Sequence, residues 1–386
     1  MKFRETTVIK SALIAILLAF GSCSEDDGFD FYNQEPNKPP VDQEPEYDWE
    51  DIAEDMQQDL VTVYLFQDGV FKESPNNNRF HYWWNAHALD VLVDGYLRSG
   101  KNSYVSRMKA LVEGIEKHNG GTYNNLFVDD MEWLGMASLR AFEATGDQQF
   151  KEVAQLVWEQ IQLAWSDVFG GGLVWKMDEP FGKNACSNAP GSILALRLYE
   201  IDENPEDLEW GKKIYQWQKE TLVDPQTGLV WDHISLENGQ EVIKKDWIFT
   251  YNVGTYIGAG VDLYQATGEP AYLNDAIRSA KAVLNTGVLR DGTILKDEDQ
   301  GDGGLFKGIL VRYLAELAQH PDVDNNTAKQ LREFLEHNAI TLVEDGMLDS
   351  PKLVGPSWSK RPDGITDLST QLSGMMLIEA VARLQE

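Results

Sequence analysis

Tyr96-Leu97-Arg98-Ser99-Gly100-Lys101-Asn102-Ser103-Tyr104, Phe142-Glu143-Ala144-Thr145-Gly146-Asp147-Gln148-Gln149-Phe150 and Tyr264-Gln265-Ala266-Thr267-Gly268-Glu269-Pro270-Ala271-Tyr272 share one pattern. An aromatic residue closes an apolar helical stripe, a Gly follows, and a second aromatic opens the next stripe. Gly takes the left-handed conformation that ends a helix, so each copy reads as a helix stop followed at once by a helix start. Residues 199–208 form a degenerate copy in which Pro205 opens the next helix. Recurrence of such a joint along the chain predicts a two-helix unit repeated about six times. The expected fold is all-α, an (α/α)6 toroid of six helical hairpins.

Spacing of apolar residues on either side of these joints is helical throughout. Leu273, Ala276, Ile277, Ala280 and Leu284 fall on one face, as do Val153, Leu156, Val157, Ile161, Ala164 and Trp165, and Leu331, Phe334, Leu335 and Leu342. Helices are predicted to begin near Trp49, Phe80, Asn102, Asp129, Gln148, Asn188, Pro205, Asn252, Pro270, Leu305, Asn325 and Thr370. The joints from odd to even helices are long: 169–187, 224–251, 288–304 and 346–369. Three of them carry a short β-like run, Gly172 to Trp175, Gly228 to Trp231 and Gly292 to Leu295. In a ring of hairpins all such joints fall on one face. Functional residues concentrate on loops held by a rigid scaffold, so the long-loop face is expected to carry the site.

The chain starts differently. Lys2, Arg4 and Lys10 precede the apolar run 11–20, and Gly21 and Ser22 precede Cys23. That layout is a signal peptide, and the run is shorter than the roughly 20 residues of a spanning helix. A Cys after small residues resembles the lipobox of bacterial lipoproteins, and the acidic run 24–27 resembles a surface-export signal. The expected organisation is a signal peptide over 1–22, an acidic, Pro-containing tether over 23–48 and a catalytic domain over 49–386. Lipidation at Cys23 would be the sole membrane contact of an exported outer-membrane lipoprotein facing the cell surface. The other cysteine, Cys186, then has no disulfide partner, and core burial must supply the stability.

A net charge of −30 opposes nucleic-acid binding, which needs clustered Lys and Arg. Between Ser24 and Asp59 there are 14 acidic residues against the single Lys38, as expected of a solvated tether. The remaining acidic surface suits a neutral polymer such as a polysaccharide. The six histidines, His81, His87, His118, His233, His320 and His337, show no ligand spacing with one another or with Cys. The 297–302 run departs from a calcium loop at Gly301. No metal and no cofactor are expected, and the domain is expected to act as a monomer.

Two adjacent acids stand at a predicted helix start on the functional face: Phe127-Val128-Asp129-Asp130-Met131-Glu132-Trp133. Asp caps helices, so an N-cap pair is one reading. The other is chemical. Consecutive Cα atoms lie about 3.8 Å apart and helical side chains diverge by about 100°, so the two carboxylates can stand about 5 Å apart, the separation of a retaining glycosidase. The helix N-terminus favours one charged carboxylate while mutual repulsion favours one proton between them. The residues alone leave both readings open.

The Asp-Asp before Trp133, the Lys183-Asn184-Ala185-Cys186-Ser187-Asn188 run, the Phe249-Thr250-Tyr251-Asn252-Val253-Gly254 run and the Phe306-Lys307-Gly308-Ile309-Leu310-Val311-Arg312 run occur in this order. Together they resemble glycoside hydrolase family 76, from about Phe80 to the C-terminus. Val253 departs from the Gln usual there. The resemblance implies an (α/α)6 barrel, endo-acting cleavage of α-1,6-mannan and a retaining mechanism with Asp129 as nucleophile and Asp130 as acid/base. Expected substrate contacts are Trp84, Asn85, Trp133, Trp175, Lys183, Asn184, Ser187, Asn188, Thr250, Tyr251, Asn252 and Asp302. Their neutral amides and hydroxyls suit sugar hydroxyls, Lys183 would orient a carboxylate, and Trp rings stack on the apolar faces of sugars. A catalytically silent glycan-binding lipoprotein of an uptake system is the main alternative. A sugar epimerase on the same toroid would need paired histidines, which the sequence does not provide.

Overall fold

Residues 47–385 are described by a computed structural model. The signal peptide, Cys23 and nearly all of the tether lie outside the described residues. Tyr47 and Asp48, assigned above to the tether, belong to the folded domain. The Tyr47 hydroxyl donates to Glu344 at 2.7 Å, and Asp48 caps the first helix through the Asp51 N–H.

Among the described residues twelve α-helices form: α1 (Trp49–Tyr64), α2 (Tyr82–Ser99), α3 (Asn102–His118), α4 (Val128–Thr145), α5 (Gln148–Gln162), α6 (Ala189–Asp202), α7 (Pro205–Leu222), α8 (Thr250–Thr267), α9 (Pro270–Asn285), α10 (Gly303–Gln319), α11 (Asn325–Thr341) and α12 (Leu368–Leu384). Each begins within two residues of its predicted start. Even helices pack in the circle α2-α4-α6-α8-α10-α12 and back to α2, and the odd helices pack around the outside of that circle. That is the (α/α)6 toroid.

Sequence decides which helices go inside. On α5 the buried residues Phe150, Val153, Ala154, Val157, Trp158 and Ile161 make one stripe, as an outer helix with a wet face requires. On α8 every residue from Thr250 to Val261 is buried, which suits a helix surrounded by others. Close approach on the inner ring depends on small residues. A Cβ on Gly258 would lie 2.3 Å from the Tyr313 ring, and one on Gly254 2.6 Å from Leu310 Cα.

The tight joints are as the repeated motif implies: Gly100, Gly146 and Gly268 are left-handed (φ +65°, +73° and +70°) and accept the helix end. In the degenerate copy a non-glycine, Glu203, takes that place at φ 53°. Every inner helix therefore runs away from the long-loop face, and six positive helix N-termini point toward it.

The β-like runs take a different form from that expected. Leu173 and Val230 make only single bridges, to Trp165 and Val223, where the chain folds back on the end of an outer helix. Only Ile294–Leu295 is a strand proper, paired with Arg290–Asp291. A hairpin, β1 (Lys72–Ser74) and β2 (Asn77–Phe80), fills the first long loop. A three-stranded antiparallel sheet ties two neighbouring loops together: β3 (Gly182–Asn184), β4 (His233–Glu237) and β5 (Gln240–Ile243).

Below the long-loop face the ring's axis is filled by ions. Asp90 and Asp94 of α2 meet Arg140 of α4 and Arg312 of α10. Asp94 accepts from Arg140 at 2.7 Å and from Arg312 at 2.8 Å. Asp90 pairs with Arg312 at 2.8 Å and with Arg140. Both carboxylates are held below their ordinary range: burial opposes this, but the two guanidiniums outweigh it.

Candidate active site

A cleft of about 740 Å³ opens at the centre of the long-loop face. The loop before α4 reaches it by pairing with the α5–α6 loop: the Val128 N–H donates to Trp175 at 2.9 Å and the Met177 N–H to Leu126 at 2.9 Å. That register sets Trp175 beside the first turn of α4. The N-cap of α4 is Phe127, without a side-chain cap, so Asp129 and Asp130 sit inside the helix rather than at its capping position. Both line the cleft.

Their surroundings are unequal. Asp129 accepts from the Trp175 indole at 3.2 Å, the Cys186 thiol at 3.3 Å and the Asp130 N–H at 3.2 Å. Burial raises its pKa from the ordinary 3.8 to about 6, and these donors limit the rise. Asp130 has one side-chain donor, the Asn125 amide at 2.9 Å. Burial, the charge of Asp129 and then that of Asp302 push its pKa well up. Among the described residues neither acid forms an ion pair with Lys or Arg. The arrangement separates a pair of neighbours into a more acidic member, Asp129, and one that keeps its proton, Asp130.

Asp302, on the opposite wall, accepts from the indoles of Trp83 at 3.1 Å and Trp84 at 3.0 Å. Tyr251 and Phe306 stack 3.9 Å apart on another wall, and the Tyr251 hydroxyl hydrogen-bonds the Cys186 sulfur. Of the contacts expected from sequence, Trp84, Trp133, Trp175, Asn184, Tyr251 and Asp302 line the cleft together with the two acids.

Six others lie outside it, each for a visible reason. Lys183 is fully buried and donates to the carbonyls of Ser166, Val168, Gly171 and Gly172; it stitches a loop and orients no carboxylate. The Asn188 amide clamps the returning chain, accepting from the Leu173 N–H at 2.9 Å and donating to the Leu173 carbonyl at 3.2 Å. Asn85 does the same to Phe71, at 2.7 and 3.0 Å, and Gln371 holds Val354 and Lys352 in the equivalent place. Thr250 bonds Glu298 through its N–H at 3.0 Å and its hydroxyl. Asn252 donates to Asp232 at 3.0 Å. Ser187 is buried, and its hydroxyl has no partner among the described residues.

Sequence reasoning missed Asn125, Trp83 and Phe306, and assigned Cys186 no part in the site. Trp83 stands next to a chosen Trp in a Trp-Trp pair, and Asn125 lies in the loop that delivers the acids, so both carried a signal. Cys186 carried none: its role depends on a partner 57 positions away. Among the described residues no group of three or more His, Cys, Asp or Glu side chains is arranged to hold a metal ion.

Solved proteins share this architecture. An α-1,6-mannanase from Salegentibacter sp. HEL1_6 is 56% identical, covers 87% of this chain and 100% of its own, and superposes with a TM-score of 0.86. A variant of it with two consecutive aspartates changed to asparagine is inactive and was solved in complex with α-1,6-mannotriose. A protein from Listeria innocua is 37% identical, with 87% and 97% of the chains covered and a TM-score of 0.81. A mannan endo-1,6-α-mannosidase of Eremothecium gossypii is 27% identical over 263 residues, which is 62% of this chain and 55% of that protein. The sequence profile of glycosyl hydrolase family 76 matches residues 48–385, from the capping residue of α1 to the end of α12. With the ring, the cleft and the acid pair in place over the whole of that span, the chain belongs to glycosyl hydrolase family 76.

Proposed function

We propose that the protein is a retaining, endo-acting α-1,6-mannanase. The observation that carries this is the unequal Asp129–Asp130 pair at the cleft floor. In the first step an Asp129 oxygen bonds to the anomeric carbon of a mannose unit while the bond to the departing O6 breaks. Asp130 gives its proton to that oxygen. In the second step Asp130, now a carboxylate, takes a proton from water. The water oxygen bonds to the anomeric carbon, and the ester to Asp129 is released. Trp175, Cys186 and the Asp130 N–H stabilise Asp129 as the anion that attacks and leaves. The loss of activity in the similar Salegentibacter mannanase when two consecutive aspartates are replaced supports the same role for this pair.

Trp133, Trp175 and Trp84 line the cleft with apolar surface, and Asn184 and Asp302 supply neutral and charged acceptors for hydroxyls. The enzyme acts as a monomer, since one chain closes its own ring through α12 and α2. It is exported and held at the outer membrane by acylation of Cys23, with the acidic tether spacing the cleft from the lipid. The n-region, the apolar run 11–20 and the small residues before Cys23 support this.

Linear α-1,6-mannan should yield a spread of oligosaccharides early in the digest, and the first product seen by proton NMR should be the α anomer. A β first product would refute retention, and intact mannan would refute the substrate. Cys23→Ala should release the protein from the membrane fraction.

A further inference from the structure

The cleft wall between α6 and α10 continues outward along a line of rings. Phe306 lines the cleft, Phe249 lies 5.5 Å from it, and Trp247 lies 6.3 Å from Phe249. A second route leads to the same place. Asn184 lines the cleft and is the β-partner of His233, whose ring is 5.6 Å from Trp247. Two independent paths thus set Trp247 on the rim just beyond the cleft.

Its position is fixed. The Trp247 carbonyl accepts from the Asp232 N–H at 3.0 Å, and its N–H donates to Lys244 at 3.3 Å. His233 and Phe249 meet the indole at 76° and 69°, so neither lies flat on it. Trp84, Trp133 and Trp358 are buried, whereas Trp247 keeps 49% of its surface exposed. A large aromatic held rigidly in water is a stacking surface formed at low entropic cost. The apolar face of a sugar ring is its natural complement, and continuity with the cleft selects the substrate's own chain over an unrelated partner.

We propose that Trp247 is a distal subsite, stacking a mannose unit of the chain that extends past the cleft, so that long α-1,6-mannan binds better than oligosaccharides confined to the cleft. This rests on the mannanase function proposed above.

Trp247→Ala and Trp247→Phe should be compared with wild type on a ladder of α-1,6-manno-oligosaccharides from the trisaccharide upward and on the linear polymer. On the shortest substrate cut, the wild-type to Trp247→Ala ratio of kcat/KM should be near unity. At one chain length it should step to about fivefold, carried by KM, and hold there on the polymer. Trp247→Phe should keep most of the gain. A ratio that is the same at every length, whether at unity or above it, overturns the subsite. Wild-type cleavage of the short substrates reports separately on the mannanase function. Retardation in mannan-containing gels, run with both proteins also carrying Asp129→Asn and Asp130→Asn, reads the subsite without cleavage: the protein that keeps Trp247 should be held back more than the one with Trp247→Ala, and equal mobility would overturn the proposal.

Discussion

Asp129 and Asp130 at the cleft floor are half-buried, and Asp90 and Asp94, deeper on the same axis, are buried; the two pairs stand on the neighbouring inner helices α4 and α2. The deeper pair meets two arginines and is held ionised below its ordinary range. The upper pair meets an indole, a thiol, an amide and backbone N–H groups, and its pKa values rise. Loss of solvent raises the pKa of every one of the four, so the partners make the difference. A guanidinium turns a buried acid into a strut that joins three helices. Neutral donors leave it able to exchange a proton or attack a carbon.

Substitution should separate the two pairs most sharply. Asp130→Asn should lower kcat/KM about a thousandfold, since the departing oxygen loses its proton donor, with no loss of stability at neutral pH. Asp94→Asn should do the reverse. It strips a charge from Arg140 and Arg312, and breaking a buried pair costs about 3–5 kcal/mol. The denaturant midpoint should fall steeply while the folded fraction keeps its turnover. Equal stability losses in both variants would break the contrast.

The pairs should also respond to pH with opposite signs. The folded pKa of Asp129 is raised from 3.8 to about 6, so its contribution to stability is present at low pH and lost as pH rises through that window. Those of Asp90 and Asp94 are lowered, so their contribution is present above 3.8 and lost as pH falls through the folded values. Denaturation of Asp129→Asn beside wild type should therefore show the variant gaining relative stability between pH 4 and 6. Activity should fall below about pH 6, where Asp129 takes up its proton.

Smaller changes sharpen the account of the upper pair. Cys186→Ala removes one donor from Asp129, and a thiol is a weak one. The acidic limb of the pH–rate profile should move up by about half a unit. Cys186→Ser should return it to the wild-type position or below, a rescue that a purely space-filling residue would not show. Smallest is Glu203→Gly at the left-handed joint of the degenerate repeat. Relief of the L-residue penalty, less the added chain entropy, should raise stability by about 0.5 kcal/mol, read as a slightly higher thermal midpoint.

Much of the fold was legible in the sequence because it is local. The Gly100, Gly146 and Gly268 joints and the apolar spacings set helix starts to within two residues, and the lopsided joints put the cleft on the correct face. The acid pair was legible as well, since its place at a helix start on that face follows from the same spacings. What stayed hidden depends on long-range pairing. The sheet that joins β3 to β4 connects residues about fifty positions apart. Asn85 and Asn188 look the same in sequence whether their amides meet a sugar or a returning backbone, because both tasks need one neutral donor and one acceptor. Lys183 sits in the run that resembles a sugar-contact motif, yet its ammonium closes a nest of carbonyls.

The division of roles between the two acids can be tested by trapping. An activated α-mannoside fluorinated at C2 slows release of the ester, and peptide mass spectrometry then locates the sugar. One mannosyl adduct, on Asp129, is expected. An adduct on Asp130 would reverse the roles, and complete turnover with inverted product and no adduct would contradict the mechanism.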